Sequence, residues 1–228
     1  KTEQLFLEKS QTAAGAFNRL FDETMAGLKF KVGGKELALE STLTLMQSPD
    51  GKKRRAASEA LAKTFGQNVK LFTLITNTLA KDKEISDKWR GFKDIADARH
   101  LSNRVEPEVV DALVAAARAA YPRLSHRYYK MKAKWLGKKK LMHYDRNAPL
   151  PNAAKREIPW AEAEKTVLKA YGDFSPEMAS IAKTFFDNTC IDAPVRPGKA
   201  NGAFEHPNGP SASPYGQLNY SGNNVGGA

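Results

Sequence analysis

Apolar residues recur with a helical period along most of the chain and switch to strict alternation near the N-terminus. Phe6, Ala13, Phe17 and Leu20, with Phe21 beside them, predict one amphipathic helix from about Thr2 to Ala26. Leu28-Lys-Phe-Lys-Val32 and Lys35-Glu-Leu-Ala-Leu39 then alternate on either side of Gly33-Gly34, the pattern of a β-hairpin with a two-residue turn. That turn sets Phe30 opposite Leu37 and Leu28 opposite Leu39, with Lys31 opposite Glu36 on the other face. Pro49-Asp50-Gly51 breaks the chain, and Asp50 is placed to cap a helix through about Ala80. The buried stripe of that helix reads Leu61, Phe65, Val69, Phe72, Ile75 and Leu79.

Lys81 to Asn103 is polar, carries Trp89 and His100, and reads as a short helix between loops that separates residues 1–104 from 105–228. Beyond Pro107, the stripe Val110, Leu113, Val114, Ala117 and Tyr121 predicts a helix. Pro122 opens another, with Leu124, Tyr128, Met131 and Trp135 inward and Gly137 as its stop. Two more follow: Trp160 to Tyr171 ending at Gly172, and Pro176 to about Asp187, capped by Ser175, with Met178, Ile181, Ala182 and Phe185 inward. From Ile191 on, Pro and Gly crowd the sequence, and Gly202-Ala-Phe204 and Tyr215 to Tyr220 are the strand candidates. The expected class is mainly α: a helical array with one β-hairpin near the N-terminus and a short loop-rich β segment at the C-terminus.

Composition narrows the function classes. The chain has 228 residues, 41% of them hydrophobic, enough to bury a core. The single cysteine, Cys190, excludes a disulfide-stapled scaffold and a Cys-rich zinc site, and fits a reducing cytoplasm. No apolar run reaches the roughly 18 residues of a membrane span. Lys1 stands where a start methionine would, which reads as the start of a fragment.

The net charge of +11 is concentrated between Tyr121 and His143, where Arg123, Arg127, Lys130, Lys132, Lys134, Lys138, Lys139 and Lys140 meet no acidic residue. With Tyr128, Tyr129 and Trp135 interleaved, this stripe supports a rival reading as a basic helical nucleic-acid-binding module. Arg123, Arg127, Lys130 and Lys134 run one position out of phase with the apolar stripe, which favours a solvated helix flank instead. The four histidines, His100, His126, His143 and His206, show no helical i, i+4 pair, and the chain lacks a nucleophile elbow and both common nucleotide-binding glycine motifs.

Several blocks, taken in order, resemble one family. Leu71-Phe-Thr-Leu-Ile-Thr-Asn-Thr-Leu-Ala-Lys-Asp-Lys83 leads to Trp89-Arg-Gly-Phe92, followed by Arg99-His-Leu-Ser-Asn-Arg104 and Tyr144-Asp-Arg-Asn-Ala-Pro-Leu150. Ile191-Asp-Ala-Pro-Val-Arg-Pro-Gly-Lys-Ala200, Gly202-Ala-Phe204, and Ser213-Pro-Tyr215 with Leu218-Asn219 complete the series. Together they resemble the oligoendopeptidase F family of zinc metallopeptidases over nearly the whole chain.

The resemblance implies a mostly helical, channel-forming enzyme that hydrolyses short unstructured peptides in the cytoplasm. Residues 1–104 correspond to its N-terminal region and 105–228 to the early catalytic domain. The family's zinc-binding His-Glu-x-x-His helix follows the Pro-Tyr…Leu-Asn strand, and this sequence contains neither that motif nor a general base of that kind. The expectation is therefore no cofactor and no catalytic residue in this chain, zinc in the full-length parent, and the missing catalytic half as a partner. Carried-over peptide contacts are Gly202, Ala203, Phe204, Pro214, Tyr215, Leu218 and Asn219. Tyr215 to Tyr220 is expected to lie extended, with an edge paired to a partner chain or open for an extended peptide; the alternative is a tail pinned by lattice contacts or by the helices from Trp160 and Pro176. The chain departs from the family at Cys190, where an aromatic is common, at Gly216-Gln217, where bulky aliphatics are usual, and from Asn223 to Ala228.

Overall fold

The computed structural model describes residues 1–151, 157–196, 198–199, 202–206 and 215–220. Helices dominate, with a two-stranded hairpin early in the chain and a three-stranded sheet late in it. The N-terminal segment is two helices, α1 (Thr2–Ser10) and α2 (Ala14–Gly27), where periodicity predicts one. At the break the Ser10 hydroxyl donates to the Leu7 carbonyl at 2.7 Å while the Gln11 N–H turns to that of Glu8 at 3.3 Å, and the Thr12 hydroxyl adds a bond to the Lys9 carbonyl at 3.1 Å. Gly15 lets the backbones close up, since a Cβ there would lie 3.0 Å from the Ser10 carbonyl oxygen.

The hairpin has the expected register. Strands β1 (Phe30–Val32) and β2 (Lys35–Leu37) pair Phe30 with Leu37, Lys31 with Glu36 and Val32 with Lys35. Gly33 and Gly34 both take positive φ, 58° and 83°, as a two-residue turn of the hairpin hand requires. The ladder is shorter than the alternation suggests. Leu39 opens helix α3 (Leu39–Leu45) instead of pairing with Leu28, and its buried side chain packs with Phe30 and Ala60. Lys31 and Glu36 are exposed, so replacing either with alanine is expected to leave the urea unfolding midpoint essentially unmoved.

Asp50 caps α4 (Gly51–Gln67) as predicted, its carboxylate accepting from the Lys52 N–H at 2.8 Å. The long helix is interrupted at Asn68, whose side-chain amide donates to the Thr64 carbonyl at 2.9 Å. Helix α5 (Val69–Arg90) then runs a further ten residues into the stretch read as polar connection, and stops at Gly91 with φ 73°. Phe30 is fully buried and Phe65 and Phe72 partly so, and with Phe21 they form an edge-to-face series with centroids 5.5 to 6.2 Å apart. This is the core of the N-terminal part.

Helices α6 (Asp97–Asn103), α7 (Pro107–Ala120) and α8 (Ser125–Trp135) follow. Their existence matches the prediction, but their burial does not. Leu113 is 68% exposed, Leu124 59% and Trp135 46%, while the buried pair on α8 is Lys132 and Ala133. Periodicity reports which face of a helix is apolar, not whether anything covers it, and here the covered face is selected by what Lys132 bonds.

Helix α9 (Trp160–Phe174) runs through Gly172, and α10 (Pro176–Asp187) starts at its Ser175 cap. Met178 and Ile181 are exposed, with Ala182 and Phe185 facing inward. Three strands complete the described fold: β3 (Ile191–Pro194), which the sequence pattern misses, β4 (Phe204–His206) and β5 (Tyr215–Tyr220). The order is β3-β5-β4, parallel on the first side of β5 and antiparallel on the second.

Candidate functional site

The central position of β5 corrects the expectation that Tyr215 to Tyr220 offers an open edge. Backbone groups on one side are engaged by β3 and on the other by β4. Among the described strands, β4 is an edge, and it borders a concavity. That groove, about 580 Å³, lies between α9, α10 and the sheet. Val167, Tyr171, Phe185, Phe186 and Ile191 give it an apolar wall, and Ala203, Phe204, Glu205, Gly216 and Leu218 line the sheet side.

The predicted contact residues divide around it. Ala203, Phe204 and Leu218 line the groove, whereas Gly202, Tyr215 and Asn219 do not. Asn219 is buried and donates to the Gly202 carbonyl at 3.4 Å, bracing the approach to β4. Tyr215 pairs with His206 in the ladder, and its ring stands 6.2 Å from that of Phe204. Pro214 lies outside the described residues.

Lys199, which no motif marked, holds the sheet. Its side chain is 2% exposed, and the ammonium donates to the carbonyls of Asp192 (2.7 Å), Pro194 (2.9 Å) and Leu218 (2.7 Å). Three acceptors from two neighbouring strands on one cation tie β3 to β5. Asp192 takes a two-pronged contact from Arg196 at 2.8 and 2.5 Å, and this, with Lys199, holds its carboxyl below the usual aspartate range.

A second buried polar cluster joins residues far apart in sequence. Asp145, in the 3-10 turn His143–Asp145, is fully buried and accepts from Arg54 at 2.7 Å, Lys138 at 2.6 Å and the Met142 N–H at 3.0 Å. Burial alone pushes the Asp145 carboxyl up, but the bonds from Arg54, Lys138 and Met142 outweigh it and hold the group at about 2. Arg54 also donates to the Ser48 and Pro49 carbonyls, and its Nε has no partner among the described residues. Lys132 donates to the Arg146 carbonyl at 2.7 Å, and burial first, then repulsion from Arg54, moves its ammonium below the ordinary lysine value. Beside the cluster, Ser58 Oγ and His143 Nε2 are 2.8 Å apart. Two members of the basic stripe, Lys132 and Lys138, therefore serve internal carbonyl and carboxylate groups.

Sequence reasoning did not single out Arg54 or Lys199. Asp145 and Lys199 do lie inside resemblance blocks, which was the available signal, whereas Arg54 sits in a Lys-Lys-Arg-Arg run that looks solvated. Among the described residues, no three His, Cys, Asp or Glu side chains come together as a metal ion would need, so they do not supply a zinc ligand set. No helix among the described residues is long and apolar enough to cross a membrane.

The arrangement of helices and sheet recurs in solved peptidase structures. PZ peptidase A, solved with an inhibitor, superposes with a TM-score of 0.85 over 95% of this chain and 39% of its own, at 20% identity. A chain from Bacillus anthracis str. Ames assigned to oligoendopeptidase F gives 0.81 over 91% of this chain and 39% of its own, at 22% identity. The sequence profile of Peptidase family M3 matches residues 44–225, and the chain belongs to that family. Oligopeptidase PepF of Bacillus subtilis (strain 168) is 28% identical over 211 residues, 90% of this chain and 31% of that protein. Group B oligopeptidase PepB of Streptococcus agalactiae serotype III (strain NEM316) is 27% identical over 172 residues, 74% of this chain and 28% of that protein. The chain thus spans about a third of the length of these curated relatives.

Proposed function

We propose that this chain carries the N-terminal region (residues 1–104) and the early, peptide-facing part of the catalytic domain (residues 105–228) of a zinc-dependent oligoendopeptidase that hydrolyses short peptides in the cytoplasm. Edge strand β4, with the groove beside it, is the peptide-binding element, and Gly202, Ala203, Phe204, Pro214, Tyr215, Leu218 and Asn219 form or brace it. The observation that carries this reading is the position of β4: one side is paired to β5, and the other is free among the described strands. Backbone groups on a free edge bind an extended peptide without regard to its sequence, which suits a general oligopeptidase. Membership of a peptidase family supports the substrate class.

By itself the chain is expected to bind peptide without cleaving it, since its sequence has no His-Glu-x-x-His. The exposed apolar faces of α7 and α8 are where the remaining catalytic half, as partner, packs. Metal analysis, a quenched-peptide hydrolysis assay and anisotropy of a labelled unstructured peptide test the reading together. Binding without turnover and without one equivalent of zinc is expected. Chelator-sensitive hydrolysis overturns the inactivity, and absence of binding overturns the role of β4.

A further inference from the structure

We propose that the groove beside β4 selects peptides bearing arginine or lysine, and that Glu205 is the residue that sets this preference. The inference rests on the reading of β4 as the peptide edge. At about 580 Å³ the groove falls within the range of small-ligand sites, room for a few side chains. Its wall is made by Val167, Tyr171, Phe185 and Phe186, and among the described residues Glu205 is the only Asp, Glu, Lys or Arg that lines it. No described residue forms a hydrogen bond or ion pair with the Glu205 carboxylate.

Directly across the ladder from Glu205 stands Gly216. A Cβ there would meet nothing nearer than the Cys190 carbonyl oxygen at 3.9 Å, so no side chain fills the floor beside the carboxylate. A peptide added to β4 sends alternate side chains toward the same face of the sheet. One of them descends into this space, with an apolar wall on one hand and a lone negative charge on the other. Long basic side chains suit such a division, since their aliphatic stems cover apolar surface while the cation reaches a polar rim. A neutral aliphatic side chain gains the wall only, and an acidic one meets like charge.

The test uses the full chain and labelled unstructured heptapeptides that are identical except for a central arginine, citrulline, norleucine or glutamate. Anisotropy titrations at low salt are expected to show arginine bound about threefold to fivefold more tightly than citrulline, the scale of one partly exposed ion pair. Glu205→Gln is expected to erase that difference and leave norleucine affinity unchanged. Gly216→Val, which fills the floor, is expected to weaken arginine and norleucine peptides alike. Equal affinities in the wild-type chain, or an arginine preference that survives in Glu205→Gln, overturns the inference and leaves the β4 reading intact. If no peptide of the series binds, the β4 reading falls and takes this inference with it.

Discussion

Asp145→Asn is expected to destabilise the chain by about 3–5 kcal/mol, the usual scale when one member of a buried ion pair is removed. The side chain is fully buried and is the carboxylate that Arg54 and Lys138 both bond, with Lys132 buried nearby. Asparagine keeps the shape and loses the charge, leaving Arg54 with a buried guanidinium and no anion. Arg54→Met combined with Asp145→Leu is expected to cost less than Asp145→Asn alone, because it removes both charges from the interior. Urea denaturation of the two variants makes the comparison, and a double variant as damaged as the single one would show that packing rather than charge dominates.

The same carboxyl gives a pH signature. Its folded value of about 2 lies below the ordinary 3.8, so the stabilisation is complete above pH 4 and is lost as pH falls from about 4 to about 2. A shift of that size corresponds to about 2 kcal/mol. The acid limb of wild-type stability is expected to flatten in Asp145→Asn.

Phe30→Ala is expected to cost about 3–5 kcal/mol, as a large-to-small change in a closed core. Phe30 has no exposed surface, and it touches the hairpin, α3 and α4 through Leu39, Ala60 and Phe65. A loss below about 1 kcal/mol in chemical denaturation would mean that the neighbouring side chains collapse into the space. Phe72→Ala provides the contrast: its ring is partly exposed and meets Phe65 and Phe21 in edge-to-face contacts, so a smaller loss is expected.

What the sequence revealed follows from the range of each signal. The hairpin register was legible because alternation, a Gly-Gly turn and the Lys31–Glu36 charges are all local and agree. The Asp50 and Ser175 caps were legible for the same reason. Breaks at residues 11–13 and at Asn68 were not, since they depend on hydroxyl and amide side chains competing with a helix ladder that periodicity favours. The burial of Lys132 and the centrality of β5 are tertiary outcomes: a lysine looks solvated until a carbonyl such as that of Arg146 is found, and a strand looks like an edge until β3 is recognised. At the candidate site, the resemblance blocks reached Phe204 and Leu218, but Glu205 and Gly216 gain meaning only from facing each other across a ladder.

The Arg54–Asp145 pair has a kinetic side. It joins residues 91 apart in sequence, and closing a loop of that length costs about 4 kcal/mol of chain entropy beyond a constant term. The Phe30–Phe65 contact closes a shorter loop, costing about 1 kcal/mol less on the same scale, and places hydrophobic surface together at once. Folding should therefore proceed from the hairpin and α4 outward, with the Asp145 clasp closing near the end. Until it closes, Arg54 can remain hydrated, so the desolvation cost of the clasp falls on a late step, and substitutions there should alter unfolding rates more than folding rates.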